Sequence, residues 1–238
     1  IFGPEHAAAA GERDSAHAGA LMVGDARLLL LPVRSLHGYF KWVTCPAILR
    51  RLHSDARRMG LTLDMLPALT PKLEEAWAAV ADEGNKVFLE ELRLTVPASE
   101  CDAMTTVVTM LENLLGEQVT GLKERLLVLH DDMFSYLARH ATSVQAHIAL
   151  DAATKTVKSG ALWYEESLPP ETVMYVPVSA TASRSKSGSR QAHEVMDAFL
   201  GLFGSEAGRQ WLQLGGNETT GMGWFEVGVQ RAPGQAAA

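Results

Sequence analysis

The stretch from Leu28 to Pro46, LLLLPVRSLHGYFKWVTCP, limits the possible folds more than any other part of the chain. Arg27 to Val33 and Tyr39 to Thr44 each have the length and apolar content of one strand, and only a few polar residues separate them. Pro46 suits the first position of a helix, where its missing N–H would have no intrahelical partner anyway. The stretch therefore predicts strand, strand and helix in direct succession, with Arg34 at the end of the first strand.

The helix that begins at Pro46 has a clear apolar face. Ile48, Leu49 and Leu52 lie at helical spacing and predict burial on that face. We expect Thr44 or Cys45 to cap the first turn.

The rest of the chain alternates between helical and strand patterns. Helical spacing is weak over Lys72 to Val80 and clear over Thr105 to Leu115, from Asp131 onward, and over Gln191 to Phe203, where Val195, Met196, Phe199, Leu200 and Phe203 are expected to be buried. Strand patterns cover Lys86 to Val96, Leu126 to Leu129, Ser143 to Leu150, Val157 to Glu166, Thr172 to Ala180 and Trp224 to Val229. This order predicts an α+β fold with helices packed on antiparallel sheets.

Composition narrows the classes of function. With 238 residues, 47% of them hydrophobic, the chain can bury a core in one or two domains. The formal net charge of -7 gives no overall attraction to nucleic acid, so any such binding requires local basic patches. Cys45 and Cys101 form neither a disulfide framework nor a cysteine zinc site, which fits a reducing cytoplasm. Apolar runs fall short of the roughly 20 residues of a membrane span, so no membrane partner is expected.

Four motifs carry a family resemblance. They are LLLLPVRSLHGYFKWVTCP (Leu28 to Pro46), HDDMF (His130 to Phe134), GALWYEESLPPET (Gly160 to Thr172) and LQLGGNETTGMGW (Leu212 to Trp224). In this order they resemble the backbone subunit of the type III-B CRISPR effector, the Cmr complex, a Cas-seven type member of the RAMP superfamily. The resemblance implies an RRM-like (ferredoxin-like) core with inserted helices and β-hairpins.

The resemblance also implies partners and chemistry. Family members stack as a filament along a guide crRNA, hold its backbone and push a β-hairpin between bases. Some cleave the complementary target RNA with a divalent metal, Mg or Mn, and an acidic residue. The implied partners are guide crRNA, target RNA, copies of the same chain and other Cmr subunits, in the cytoplasm.

The family pattern places its catalytic aspartate and a guide-binding segment before the Phe2-Gly3 pair at which this chain begins. We therefore expect residues 1–230 to form a single RAMP-type domain that is incomplete at its N-terminus, followed by a disordered tail over 231–238. We also expect the isolated chain to lack RNase activity, which leaves open whether the chain itself is an enzyme.

Two sites of positive charge have two readings each. Arg34, followed by Ser35, either bridges strand ends or contacts an RNA backbone, because a guanidinium offers planar donors that match a phosphate. Arg50 belongs to a helical cluster with Arg51, Arg57 and Arg58. That cluster is either a solvated helix face or part of a cationic groove, and Arg50 is its candidate RNA contact.

Acidic residues also have two readings. Glu165 and Glu166 are the candidate catalytic residues, since the resemblance places an acid of this segment near the cleavage centre. Neighbours on a strand point to opposite faces, so only one of them can face a given ligand, and an ordinary exposed strand acid is the alternative. His130 with Asp131 and Asp132 suggests a metal cluster, but helix capping explains both aspartates better, and no metal ligands are assigned.

The glycine-rich loop from Gly215 to Gly223 lacks the Lys-Ser/Thr pair of a Walker A motif, and His193-Glu194 lacks the second histidine of a zincin. Loops of this kind near the C-terminus are a hallmark of the RAMP superfamily, and backbone amides of glycines approach phosphates closely. A tight hairpin that needs positive φ is the second reading, compatible with the first. The candidate RNA-binding residues of the loop are Gly215, Gly216, Thr219, Gly221 and Gly223.

Two classes of function follow. The first is a guide-binding structural subunit that contributes to cleavage of target RNA, and the second is a scaffolding subunit without RNA chemistry. A small-molecule enzyme is disfavoured, since no Ser/His/Asp or Cys/His arrangement emerges.

Overall fold

A computed structural model describes residues 1–3, 17–80, 83–116, 119–184, 190–203 and 210–232. The helices within these ranges are α1 (Pro46–Arg58), α2 (Cys101–Leu115), α3 (Leu122–Arg125), α4 (Asp131–His140) and α5 (Ala192–Leu200). The strands are β1 (Leu21–Val23), β2 (Arg27–Arg34), β3 (Phe40–Thr44), β4 (Ala76–Ala78), β5 (Lys86–Leu89), β6 (Leu92–Thr95), β7 (Leu126–Leu129), β8 (Ser143–Leu150), β9 (Val157–Ser167), β10 (Val173–Tyr175), β11 (Val178–Ala180), β12 (Gln210–Gln213) and β13 (Trp224–Val227).

The core is a five-stranded sheet in the order β10-β2-β3-β7-β4. Strands β3 and β7 are adjacent and parallel, while β2 and β4 flank them as antiparallel neighbours. Two parallel central strands with antiparallel flanks are typical of the ferredoxin-like split βαβ arrangement. Every residue of β4 and β7 is buried, so this sheet with its helices confirms the predicted α+β class.

The predicted succession β2, β3 and α1 is confirmed, and α1 buries Ile48, Leu49 and Leu52. The expected cap is wrong, because Cys45 at the N-cap makes no side-chain cap hydrogen bond and the Thr44 hydroxyl is a buried group for which no partner is found among the described residues. Asp131 supplies the cap instead, since its Oδ1 accepts a hydrogen bond from the Ala47 N–H at 2.9 Å.

Three predicted elements differ from the structure. Lys86 to Val96 is a hairpin of β5 and β6 rather than one strand, because the chain turns at Glu90, whose φ is 50°. The weak helical pattern over Lys72 to Val80 gives β4, which fills the buried edge of the sheet. Thr172 to Ala180 divides at Pro177, so that β10 pairs with β2 and β11 pairs with β1.

After α4, the described chain forms two hairpins outside the core sheet, β8–β9 and β12–β13. No residue of the β8–β9 hairpin is fully buried. Helix α5 was expected to bury five apolar side chains, but only Val195 is buried, and Met196, Phe199, Leu200 and Phe203 are half-buried. Residues 233–238 of the predicted tail lie outside the described ranges.

A buried carboxylate joins α1 to two strands of the sheet. Asp55, only 3% exposed, accepts hydrogen bonds from Arg27, Arg58 and the Tyr175 hydroxyl, the last at 2.8 Å. Burial alone raises the pKa of Asp55, but the hydrogen bonds from Tyr175, Arg58 and Arg27 outweigh it, so the net pKa is lowered. Asp55 is therefore an ionised anchor between α1, β2 and β10.

No helix in the described part of the chain is long and apolar enough to cross a membrane.

Candidate functional site

The β8–β9 hairpin presents two different faces. Its register pairs Gln145 with Glu165 and His147 with Trp163, so these four side chains share one face. The opposite face carries three cross-strand pairs: Val144 with Glu166, Ala146 with Tyr164, and Ile148 with Leu162. Glu165 and Glu166 therefore point to opposite sides of the hairpin, as the strand geometry predicts.

Glu165 is held in one orientation by neutral donors from two elements. The indole N–H of Trp163 donates to Oε1 at 2.7 Å, and Asn217 Nδ2 donates to Oε2 at 2.6 Å. The His147 ring stacks on Trp163, with centroids 5.5 Å apart and planes 18° apart, and its Nε2 lies 3.7 Å from Glu165 Oε2. These four residues form what we call the Glu165 cluster.

The Glu165 cluster favours the ionised carboxylate. Hydrogen bonds from Trp163 and then Asn217 lower the pKa of Glu165, and they outweigh the opposing effect of desolvation. Glu165 therefore stays negatively charged at neutral pH without a lysine or arginine against it in the contacts of the cluster. Such a carboxylate can accept a proton or a hydrogen bond from a hydroxyl.

Glu166 has simpler surroundings. It accepts a hydrogen bond from the Thr142 hydroxyl and is exposed on a face whose neighbours are apolar. Val144, Ile148, Leu162 and Tyr164 are 61%, 50%, 55% and 67% exposed. We call these four side chains the apolar face of the hairpin.

The glycine-rich loop joins β12 to β13 and is a tight turn. Leu214 N donates to Gly223 O at 2.9 Å, and a Cβ on Gly223 would lie 2.0 Å from Leu214 O. Gly215 and Gly221 have φ of 88° and 81°, which a residue with a side chain adopts at a cost. The hairpin reading of this loop is confirmed.

The same loop leaves its backbone open to a ligand. A Cβ on Gly215, Gly216 or Gly221 would meet no atom of the described residues within 4 Å, and Thr219 is exposed. Gly216 has no positive φ either, so neither its backbone conformation nor its neighbours among the described residues require a glycine. The RNA-binding role of these residues stays a prediction. The space around the loop backbone is compatible with it.

Arg34 lies at the end of β2, where it bridges to the β5–β6 turn. Its Nε donates to Glu90 Oε1 at 3.0 Å, its Nη2 lies 2.7 Å from Glu90 Oε2, and the Glu90 N–H donates to Arg34 O at 2.9 Å. The bridging reading is therefore observed. The Arg34 side chain is still 83% exposed, so the outer edge of the guanidinium faces solvent. Ser35 forms an isolated antiparallel β-bridge with Leu89. RNA contact stays a prediction for both residues.

The arginines of α1 do not form one patch. Arg51 donates to Leu28 O at 3.4 Å and Arg58 pairs with Asp55, so both are directed toward the fold. Arg50 lies over the start of α4, with Nη2 3.5 Å from Asp131 Oδ2. It lines an open cleft of about 410 Å³ together with Lys72 and His130.

The His130 segment is a structural joint. The His130 ring Nδ1 accepts a hydrogen bond from the Asp132 N–H at 3.1 Å and so caps α4. Capping was the favoured explanation of both aspartates, but the caps are distributed differently: His130 caps α4, and Asp131 caps α1. Over the residues with described positions, no three His, Cys, Asp or Glu side chains converge to hold a metal ion.

Three members of the Glu165 cluster were not singled out by sequence reasoning. Trp163 and Glu165 lie two residues apart on a predicted strand, and this spacing is a signal that could have placed them on one face. His147 becomes their neighbour only through the hairpin register. Asn217 lies 52 residues from Glu165 in sequence, and nothing in the local pattern indicates their contact.

Comparisons with known proteins agree with this architecture. The RAMP superfamily profile matches residues 1–226. A curated relative, the CRISPR system Cmr endoribonuclease Cmr4 of Pyrococcus furiosus, is 33% identical over 230 residues, which cover 95% of this chain and 73% of the relative. The chain belongs to the RAMP superfamily and, within it, to the family of the type III-B Cmr4 subunits.

Solved structures support the same placement. Oligomeric Cmr4 from Pyrococcus furiosus superposes with a TM-score of 0.67 and 27% identity, over 87% of this chain and 72% of that one. A subunit of the type III-B Cmr-beta complex bound to cognate target RNA matches with a TM-score of 0.60 at 18% identity, over 90% of this chain and 72% of that one. At that lower identity the match shows a shared fold.

Proposed function

We propose that this chain is a backbone subunit of a type III-B CRISPR effector complex that binds guide crRNA and cleaves complementary target RNA. Membership of the family whose Pyrococcus furiosus relative is an endoribonuclease supports the class of function. The observation that carries the proposal for this chain is the Glu165 cluster, where an ionised carboxylate on an exposed hairpin contacts the glycine-rich loop. The complex acts in antiviral defence, in the cytoplasm.

The proposed reaction is an internal transesterification of RNA. The ribose 2′-oxygen attacks the adjacent phosphorus to form a 2′,3′-cyclic phosphate, and the bond from phosphorus to the 5′-oxygen breaks. The 2′-hydroxyl proton passes to a base, and the leaving 5′-oxygen takes up a proton from water to become a 5′-hydroxyl. The reaction needs in-line geometry, stabilisation of the phosphate charge and that proton acceptor. We assign the acceptor role to Glu165, because it is ionised and oriented, whereas Glu166 lies on the other face of the hairpin.

Guide binding is proposed for the remaining candidates. Arg34 presents an exposed guanidinium edge, and Arg50 lies beside the open cleft. The loop offers backbone amides with room around them. The proposed guide-binding set is Arg34, Ser35, Arg50, Gly215, Gly216, Thr219, Gly221 and Gly223.

A divalent ion, Mg²⁺ or Mn²⁺, is the proposed cofactor. The side chains of the described ranges do not fit a resident metal site, because no three suitable ligands converge. Mg²⁺ commonly binds through substrate phosphates and one or two carboxylates. We therefore assign no step of the reaction to a protein-bound ion.

The alternative is a scaffolding subunit without RNA chemistry, and the apolar face of the β8–β9 hairpin favours it. Four exposed apolar side chains on one strand pair suit contact with another protein. Copies of this chain and other Cmr subunits are the proposed partners, as the oligomeric relative suggests. The two functions differ in whether target RNA is cut.

Single-turnover cleavage of a complementary RNA, with Mg²⁺ or Mn²⁺ and in an assembled guide-loaded complex, decides between them. Glu165→Gln is expected to lower the cleavage rate by about 10²-fold or more while guide affinity stays unchanged, because a carboxylate does not supply phosphate affinity. Glu166→Gln is the matched control on the opposite face. Equal rates for wild type and Glu165→Gln would remove Glu165 from the reaction, and no cleavage by wild type would favour the scaffold.

A further inference from the structure

Asn217 joins the glycine-rich loop to the β8–β9 hairpin. Its side-chain Nδ2 lies 2.6 Å from Glu165 Oε2. Its backbone carbonyl accepts hydrogen bonds from Thr220 N at 3.0 Å, Thr220 Oγ1 at 2.8 Å and Met222 N at 3.2 Å. The fold of the loop therefore determines where the amide that holds Glu165 lies.

The backbone of Asn217 is also specific. Its φ is 60°, in the left-handed region that asparagine enters far more readily than most residues with side chains. An asparagine at this position satisfies the turn and still provides an amide donor. Glycine would satisfy the turn alone, so the side chain serves the contact with Glu165.

The two donors to Glu165 divide the work of orienting it. Trp163 binds Oε1 and Asn217 binds Oε2, which fixes both the position and the plane of the carboxylate. Both donors are neutral, so neither of them offsets the negative charge of the carboxylate. A lysine or arginine at either place would hold the group as firmly but would neutralise it.

We propose that Asn217 is a positioning residue for RNA cleavage, through which the glycine-rich loop fixes the Glu165 carboxylate for attack on target RNA. This inference rests on the proposed function, because it assigns Glu165 to the reaction. It gives the loop a second task beside guide binding. In this role Asn217 acts through Glu165, to which its amide donates.

The first test separates positioning from binding. Asn217→Gly keeps the left-handed turn and removes the side-chain amide. In the assembled guide-loaded complex, we expect this variant to lower the single-turnover cleavage rate by about 10-fold to 100-fold, since small misplacements of a reacting group have effects of that size. Guide-RNA and target-RNA affinities should change by less than about twofold, because the amide already donates to Glu165 Oε2.

Three variants complete the series. Asn217→Asp keeps the turn and places a second carboxylate against Glu165, so we expect it to lose at least as much cleavage as Asn217→Gly. Trp163→Phe removes the other donor while keeping an aromatic ring against His147, and it should lower the rate in the same way. Asn113→Ala, on an exposed face of α2, is the matched asparagine control and should cleave like wild type.

The second test needs no activity. The chain has five tryptophans, and the indole N–H signal missing from the NMR spectrum of Trp163→Phe identifies Trp163. We expect that signal to shift in both Glu165→Gln and Asn217→Gly, because each changes the acceptor of the indole proton or its orientation. Asn113→Ala should leave it in place.

The outcomes separate this inference from the proposed function. If wild type does not cleave, the proposed function fails and a positioning role for Asn217 fails with it. If wild type cleaves while Asn217→Gly cleaves equally fast, or leaves the Trp163 signal unmoved, the inference alone is overturned. An equal loss of RNA affinity and cleavage in Asn217→Gly would also overturn it, because the loop would then act through binding.

Discussion

Asp131 Oδ1 accepts the backbone N–H of Ala47 at 2.9 Å, although Asp131 begins α4 and Ala47 lies in the first turn of α1. One carboxylate therefore serves two helices. Its charge favours the positive end of its own helix, and its hydrogen bond satisfies an unpaired donor of the other. The contact joins the starts of two helices that follow adjacent parallel strands, β3 and β7.

Removing this joint should destabilise the protein. We expect Asp131→Ala to lower the free energy of unfolding by about 0.5–2 kcal/mol, the usual cost of a lost N-cap. Asp132→Ala is the matched control, because Asp132 lies in the same turn with its side chain 86% exposed. Urea denaturation of both variants measures the difference, and equal stabilities would show that the hydrogen bond to Ala47 contributes nothing.

The network around Asp55 predicts a specific acid sensitivity. The folded pKa of Asp55 is lowered, so the stabilisation is present above the unfolded pKa of about 3.9 and is lost as the pH falls through the folded pKa. We expect Asp55→Asn to lower stability near neutral pH by about 1.5–3 kcal/mol, the value of hydrogen bonds to a charged group.

Stability curves between pH 2 and pH 7 measure this effect. The curve of Asp55→Asn should fall less steeply below about pH 4 than that of wild type. Asp64→Asn, at an exposed position, should keep the wild-type slope. A wild-type slope in Asp55→Asn would mean that another group controls the acid transition.

Two glycines of the loop should respond differently to alanine. Gly223→Ala places a Cβ 2.0 Å from Leu214 O at a φ of 78°, and we expect a loss of at least about 1–3 kcal/mol of stability. Gly216→Ala adds a Cβ that meets no atom in the part of the chain that the structure describes, so thermal unfolding should be unchanged. If RNA backbone lies against Gly216, its RNA affinity should still fall, because the methyl group occupies that space.

The glycine test has an internal control. Gly201→Ala also adds a Cβ that meets no described atom within 4 Å, at a position without a positive φ, and it lies outside the loop. RNA titration at fixed salt should give wild-type affinity for Gly201→Ala and weaker binding for Gly216→Ala. Wild-type affinity in both would show that RNA does not approach the loop at Gly216.

Variants of Arg34 and Glu90 test whether Arg34 binds RNA or only bridges to the β5–β6 turn. If Arg34 contacts a phosphate, Arg34→Ala should weaken RNA binding and lower the salt dependence of the binding constant by about one charge. Glu90→Gln should then strengthen RNA binding, because it releases the guanidinium from a competing carboxylate. Salt-dependent binding isotherms measure both, and unchanged RNA binding in the two variants would leave Arg34 with the bridging role alone.

Local patterns predicted the central elements well. The strands around Leu126 to Leu129 and Ser143 to Leu150, and the helix after Pro46, lie where their apolar spacing indicated. The turn at Glu90 was missed because a glutamate with a φ of 50° leaves no glycine or proline signal. Strand β4 was missed because Ala76 to Ala78 gains its strand conformation from pairing with β7, a partner about fifty residues away.

The site could be predicted only in part. Strand alternation correctly separates Glu165 from Glu166, and glycine content correctly identifies the turn between β12 and β13. The partners of these residues depend on tertiary contacts, as Asn217 with Glu165 and Arg34 with Glu90 show. Such pairs follow from where hairpins meet, which apolar periodicity does not record.

The apolar face of the β8–β9 hairpin makes the protein prone to self-association when it is made in excess of its partners. Val144, Ile148, Leu162 and Tyr164 stay exposed in the single chain, and a free strand pair with such a face favours self-association as concentration rises. If a cell synthesises this chain faster than its partner subunits, copies with an uncovered apolar face would accumulate. We expect balanced synthesis, or capture of each new copy during assembly, to matter as much for this subunit as its intrinsic stability.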